Sequence, residues 1–141
     1  MREIKFRAWD KKKKTMILFG SALTSFTSGF WGDGVDNYKI QFEREGETNG
    51  YNHDDFNEYA AVDLMQYTGH KDKNGVEIYE GDVMAWDNSE GDQEIYNIHY
   101  NTKRCAFEMK SIKNLYTDPR IDIRCYVIGN IYENPELITK R

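Results

Sequence analysis

Few side chains in this 141-residue sequence have the types and spacing that chemistry needs, and each has a competing structural reading. His53, Asp54 and Asp55 place three ligand types in a row. Adjacent residues rarely converge on one ion, and His70 and His99 have no partner at helical spacing, so the triplet reads as a solvated loop. Cys105 and Cys125 belong to no CxxC pair and lie in apolar strand patterns. That setting describes reduced thiols buried as small hydrophobes, neither nucleophiles nor a disulfide. No serine sits in a GxSxG elbow. The glycines of GFWGDG (29–34) lack the strand–turn–helix setting of a phosphate-cradling loop. Glu80 and Asp82 flank a turn, where carboxylates more often accept bonds from local backbone amides than run acid–base chemistry. No catalytic residue, metal site or cofactor is assigned, and the chain reads as a non-enzyme.

The remaining candidates are contact residues. Lys11, Lys12, Lys13 and Lys14 follow an alternating apolar–charged segment and precede the apolar run TMILF. They read as a lysine-rich turn between two strands, with a nucleic-acid contact as the competing use. Phe30 and Trp31 stand beside glycines, either as an exposed anchor for a partner or as caps on the core. Tyr67 and Tyr79 have the chemistry to stack on a base, but their acidic neighbours favour cross-strand packing.

Charge distribution separates some function classes. Residues 1–32 carry net +5, residues 33–94 net −13 and residues 95–141 net +3, within a chain of −5. So acidic a middle disfavours broad electrostatic binding to nucleic acid, which needs a positive face. It permits copies of the chain to meet head to tail, basic start against acidic middle. No apolar run approaches the roughly 18 residues that would span a bilayer. The start, MREIKFRAWDKKKK, has no apolar core of a secretory signal. The expected location is the cytoplasm, with no membrane partner.

The elements that position these residues are mostly strands. Aromatic residues make up 14% and only two prolines occur, a composition that favours sheet. Ile4 to Trp9 alternates as a half-buried strand, with Ile4, Phe6 and Ala8 opposite Lys5 and Arg7. Residues 20–50 read as long loops around the short strand YKIQF. Residues 54–61, DDFNEYAA, form the one helical candidate, capped by Asp54 or Asp55 with Glu58 at capping-box spacing. From Val62 onward the pattern is continuous sheet, with Gly69, Gly75 and Gly81 each where a strand turns. IDIRCYVIGNIY reads as a strand in which Ile121, Ile123 and Cys125 alternate with Asp122 and Arg124. ENPEL reads as a single turn capped by Asn134. The short strands argue for a small barrel or sandwich. The expected division is 1–61, a β-hairpin, loop and short-helix region, and 62–141, the sheet-rich part.

KFRAWDKKKKTM, LMQYTGHKDKNGVEIYEGDVM and VIGNIYENPEL together resemble the YopX family, small proteins encoded by phages and prophages of bacteria. His70 departs from the pattern, which usually has an apolar residue there. The resemblance implies a mainly β fold whose C-terminal part, about 62–141, is an SH3-like small β-barrel. It also implies homo-oligomers, and it supplies no reaction and no site residue. Three functions follow as expectations. The first is a phage accessory protein acting through protein contacts, with itself or with a host or phage protein. The second is a nucleic-acid-binding module using the basic hairpin and barrel aromatics. The third is an acidic inhibitor of a host protein.

Overall fold

The computed structural model describes residues 3–11, 14–18, 26–27, 39–40, 60–114, 116–122 and 124–139. Among them the protein is mainly β, with eleven strands and a single 3-10 turn. The chain divides into two compact units, Arg7–Leu64 and the remainder, Met1–Phe6 with Met65–Arg141. The division falls inside the longest strand, β5 (Ala60–Lys71).

In the Arg7–Leu64 unit, β1 (Phe6–Asp10) and β2 (Thr15–Leu18) form an antiparallel hairpin registered from Arg7↔Leu18 to Asp10↔Thr15. Lys11 and Lys14 lie in turn conformation between the two strands, and the Lys14 N–H donates to the Asp10 carbonyl at 2.8 Å. The sheet continues through β5 to β4 (Lys39–Ile40) and β3 (Phe26–Thr27), in the order β2-β1-β5-β4-β3. β1 is not the half-buried strand that its alternation suggests. Arg7, Ala8, Trp9 and Asp10 are all buried, while Ile4 is 62% exposed. β1 lies inside the sheet with both faces covered, and a strand covered on both faces has no polar side to alternate with. The helical candidate 54–61 falls almost wholly outside the described residues, and its last two, Ala60 and Ala61, belong to β5.

The second unit is built on an antiparallel sheet in the order β10-β9-β8-β7-β11. Its strands are β7 (Asp82–Asp87), β8 (Gln93–Asn101), β9 (Ala106–Ser111), β10 (Thr117–Asp118) and β11 (Tyr126–Asn130). The short β6 (Glu77–Tyr79) pairs with β5. Pairing Ile98 with Met109 places both on one face. There they bury a core with Ile78, Met84 and Cys125, flanked by Trp86, Tyr96, Ile121 and Val127. His99 and Glu108, the next pair, take the opposite face.

Three expectations change on this sheet. Gly69 does not end a strand: at φ 88 it lies within β5, where the register to β6 shifts between Tyr67 and Lys71, a bulge. Ile121, Asp122, Arg124 and Cys125 are not strand. The Cys125 N–H donates to the Asp122 carbonyl at 3.1 Å and Arg124 folds back on the Asp122 carboxylate, so the chain turns there. Cys105 is exposed, in a turn at φ 52, rather than buried in a strand, whereas Cys125 is buried as expected. The 3-10 turn Pro135–Ile138 has Pro135 at its start, but Asn134 makes no side-chain cap. Its Oδ1 accepts the Asn130 N–H instead, at 3.3 Å.

Candidate functional site

The densest polar chemistry gathers where the β5–β6 hairpin meets β11. Asp72, nearly fully buried, accepts three backbone N–H groups: Asn74 at 2.8 Å and Val76 at 2.9 Å on Oδ1, and Val127 at 2.9 Å on Oδ2. Burial raises its pKa and the three N–H bonds lower it; the bonds prevail, holding the carboxyl below its usual range. Lys73 adds a second tie. Its N–H donates to the Cys125 carbonyl, and its ammonium lies 4.1 Å from the Tyr126 ring centroid. Tyr126 in turn donates its hydroxyl to Asp87 at 3.1 Å and accepts from Gln93 at 2.9 Å. Asp72 stands two residues before Asn74-Gly75, the side-chain-to-backbone geometry that organises a turn.

The other motif residues are spent in the same way. Thr68 spans the Gly69 bulge, donating to the Ile78 carbonyl at 2.9 Å and accepting the His70 N–H at 3.3 Å. Glu80 accepts the Gln66 N–H and Asp82 the Tyr79 N–H, each at 2.8 Å, as expected of carboxylates beside a turn. Tyr67 and Tyr79 face each other across β5 and β6 with ring centroids 5.4 Å apart. Lys5 joins this group by pairing with Glu77 and Glu3 and lying 5.5 Å from the Tyr67 centroid. The Lys5 ammonium holds the Glu77 carboxyl below the usual carboxylate range, against an upward push from burial.

A second cluster was not foreseen. The Glu108 side chain is only 1% exposed. It receives Asn101 Nδ2 at 2.9 Å, lies 3.2 Å from Arg104 Nε and 3.5 Å from His99 Nε2. Among the described residues, the buried His99 Nδ1 has no hydrogen-bond partner. The sequence carries no signal for it, because the burial comes from the hairpin folding Arg104 and Asn101 over a strand position that alternation assigns to solvent. Asp72 was legible in principle, from its offset to Asn74-Gly75. Among the described residues no group of three or more His, Cys, Asp or Glu is placed to hold a metal ion. A surface hollow of about 320 Å³ is lined by Asp118, Arg120, Ile121, Asp122 and Arg124, and its Asp122–Arg124 pair already bonds at 2.6 Å.

Of the contact residues suggested by sequence, Lys11 is exposed and pairs with Asp63 at 3.1 Å, and Lys14 is exposed. Lys12, Lys13, Phe30, Trp31 and the triplet His53–Asp55 lie outside the described residues. His70 is exposed, beside the bulge. Among the described residues no helix is long and apolar enough to cross a membrane.

A mainly β chain whose motif side chains brace hairpins against a five-stranded sheet defines a structural class before it defines an activity. The YopX protein family matches residues 5–139, nearly the whole chain, and this protein belongs to that family. Among solved structures it is similar to protein EF1440 from Enterococcus faecalis. The identity is 29%, covering 99% of this chain and 100% of that one, with a TM-score of 0.58. No curated protein matches the chain.

Proposed function

We propose that this chain is a non-enzymatic accessory protein of phages and prophages, acting in the bacterial cytoplasm through protein contacts as a homo-oligomer. One observation carries the reading: the polar side chains of the central motif are engaged by the fold itself. Asp72, Thr68, Glu80 and Asp82 each bond backbone groups of neighbouring strands or turns. Groups so engaged brace a surface and are poorly placed to turn over a substrate. Contact area is available elsewhere, in Leu18 at 73% and Tyr116 at 63% exposure. The charge asymmetry between chain segments supplies complementarity between copies.

Size-exclusion chromatography with light scattering tests the assembly. A multimer is expected, with Tyr116→Lys or Leu18→Lys shifting it toward smaller species. A clean monomer at high micromolar concentration would overturn the reading. Binding to nucleic acid through Lys11 to Lys14 is the competing use, and the Lys11–Asp63 pair weighs against it. That alternative predicts salt-sensitive binding that weakens stepwise with Lys→Ala changes at 11 to 14. Capture of a host protein by the assembled form would point instead to the inhibitor reading.

A further inference from the structure

We propose that Asn74 is a site of spontaneous covalent modification: it cyclises onto Gly75 and reopens as isoaspartate, releasing the hairpin from β11. Both residues are exposed at the tip of the β5–β6 hairpin. A side-chain carbon built on Gly75 would meet no atom within 4 Å, so the Gly75 Cα faces open space and the turn has room to rearrange. The Asn74 side chain has no hydrogen-bond partner among the described residues, which leaves its amide free to rotate toward that nitrogen. One restraint opposes the reaction. The Gly75 N–H donates to the Asp72 carbonyl at 3.0 Å and must let go first. This bond sits in an exposed turn, where opening is frequent.

The chemistry needs only water. The Gly75 amide nitrogen gives up its proton and bonds to Cγ of Asn74. The Cγ–Nδ2 bond breaks, and Nδ2 departs as ammonia carrying that proton, leaving a five-membered cyclic imide. Water then adds to either imide carbonyl. Breaking the bond between the Asn74 main-chain carbonyl carbon and the Gly75 nitrogen leaves the chain running through Cγ, which is isoaspartate. Breaking the Cγ bond gives ordinary aspartate. Either product carries one more negative charge.

The position of Asp72 makes the change consequential. Its Oδ1 receives N–H groups from both Asn74 and Val76, so the backbone spacing between 74 and 76 is fixed by a single acceptor atom. Isoaspartate inserts a carbon into that interval, and the new carboxylate lies close to the Asp72 carboxylate. The other Asp72 oxygen holds Val127 of β11, so strain at the tip passes to the edge of the sheet.

The experiment ages the folded full-length chain at mildly alkaline pH. Position 74 is read by peptide mapping with fragmentation that distinguishes isoaspartate from aspartate. The same chain unfolded in urea is the reference, and thermal unfolding is followed alongside. Isoaspartate at 74 should accumulate in the folded chain at a rate within about tenfold of the unfolded one, the factor set by one exposed turn bond. The aged protein should melt lower, and an Asn74→Ser chain aged in parallel should not. Asn74→Asp, with its backbone intact, should keep most of the stability, separating the added carbon from the added charge. Persistence of the Asn74 amide in the folded chain while the unfolded chain converts would overturn the proposal. Conversion without any lower melting would overturn its structural consequence.

Discussion

Single residues decide how much of this fold survives perturbation. Asp72 is the clearest case. Replacing it with Ala strands three N–H groups, two in the hairpin and one on β11, and should cost about 2–4 kcal/mol in urea unfolding. Its folded pKa is depressed, so its contribution is fully present above the unfolded carboxylate pKa and is lost as pH falls through the folded value. Stability measured from neutral to acid pH should therefore fall less steeply in Asp72→Asn than in the parent. The two thiols should separate as cleanly. Burial pushes Cys125 up to about 11, whereas Cys105 is exposed. A thiol reagent at neutral pH should label Cys105 in the native protein and Cys125 only on unfolding. The buried fate of Cys125 was readable from its apolar neighbours. The exposure of Cys105 was not, because a positive φ at a non-glycine turn residue leaves no mark in hydropathy.

At the scale of elements, glycine separates close approach from conformational freedom. A side-chain carbon on Gly129 would lie 2.4 Å from Asn134 Oδ1 and 2.9 Å from Leu137 Cδ1, so the 3-10 turn packs directly against β11. Gly129→Ala should cost about 2–3 kcal/mol, since neither the amide nor Leu137 can retreat without disturbing the turn. Gly75→Ala meets open space and carries only the strain of φ 82, about 1 kcal/mol. Denaturant midpoints should rank the two in that order. Strand pattern located most of the second unit because β7, β8 and β9 join through short turns that the sequence punctuates. It misread Gly69, since a bulge and a reversal demand the same backbone freedom from the same residue. It also misread Ile121, Asp122, Arg124 and Cys125, where a strand-like alternation accompanies a turn held by Asp122 and Arg124.

At the scale of the molecule, the family and the mainly β architecture were legible because the motif blocks at 5–16, 64–84 and 127–137 are the parts that brace the sheet. The buried Glu108 cluster was not, because its partners come from the turn between β8 and β9. Its counter-charge comes from the exposed Arg104, so Arg104→Ala should cost about 1–2 kcal/mol, measured by thermal or urea unfolding. If copies meet through segments of opposite charge, added salt should shift the oligomer toward smaller species, because screening weakens exposed pairs. Assembly that persists unchanged in high salt would point to the apolar side chains, Leu18 and Tyr116, as its basis.

The first six residues belong with residues 65 to 141, and Lys5 makes the link: its carbonyl accepts the Tyr67 N–H and its ammonium pairs with Glu77. During synthesis Lys5 leaves the ribosome long before β6 and must wait for it before it can pair with Glu77, closing a long loop at an entropic cost. Nascent chains halted before Glu77 should accordingly leave the segment around Lys5 open to proteases, and protection there should arrive only once β6 has been made.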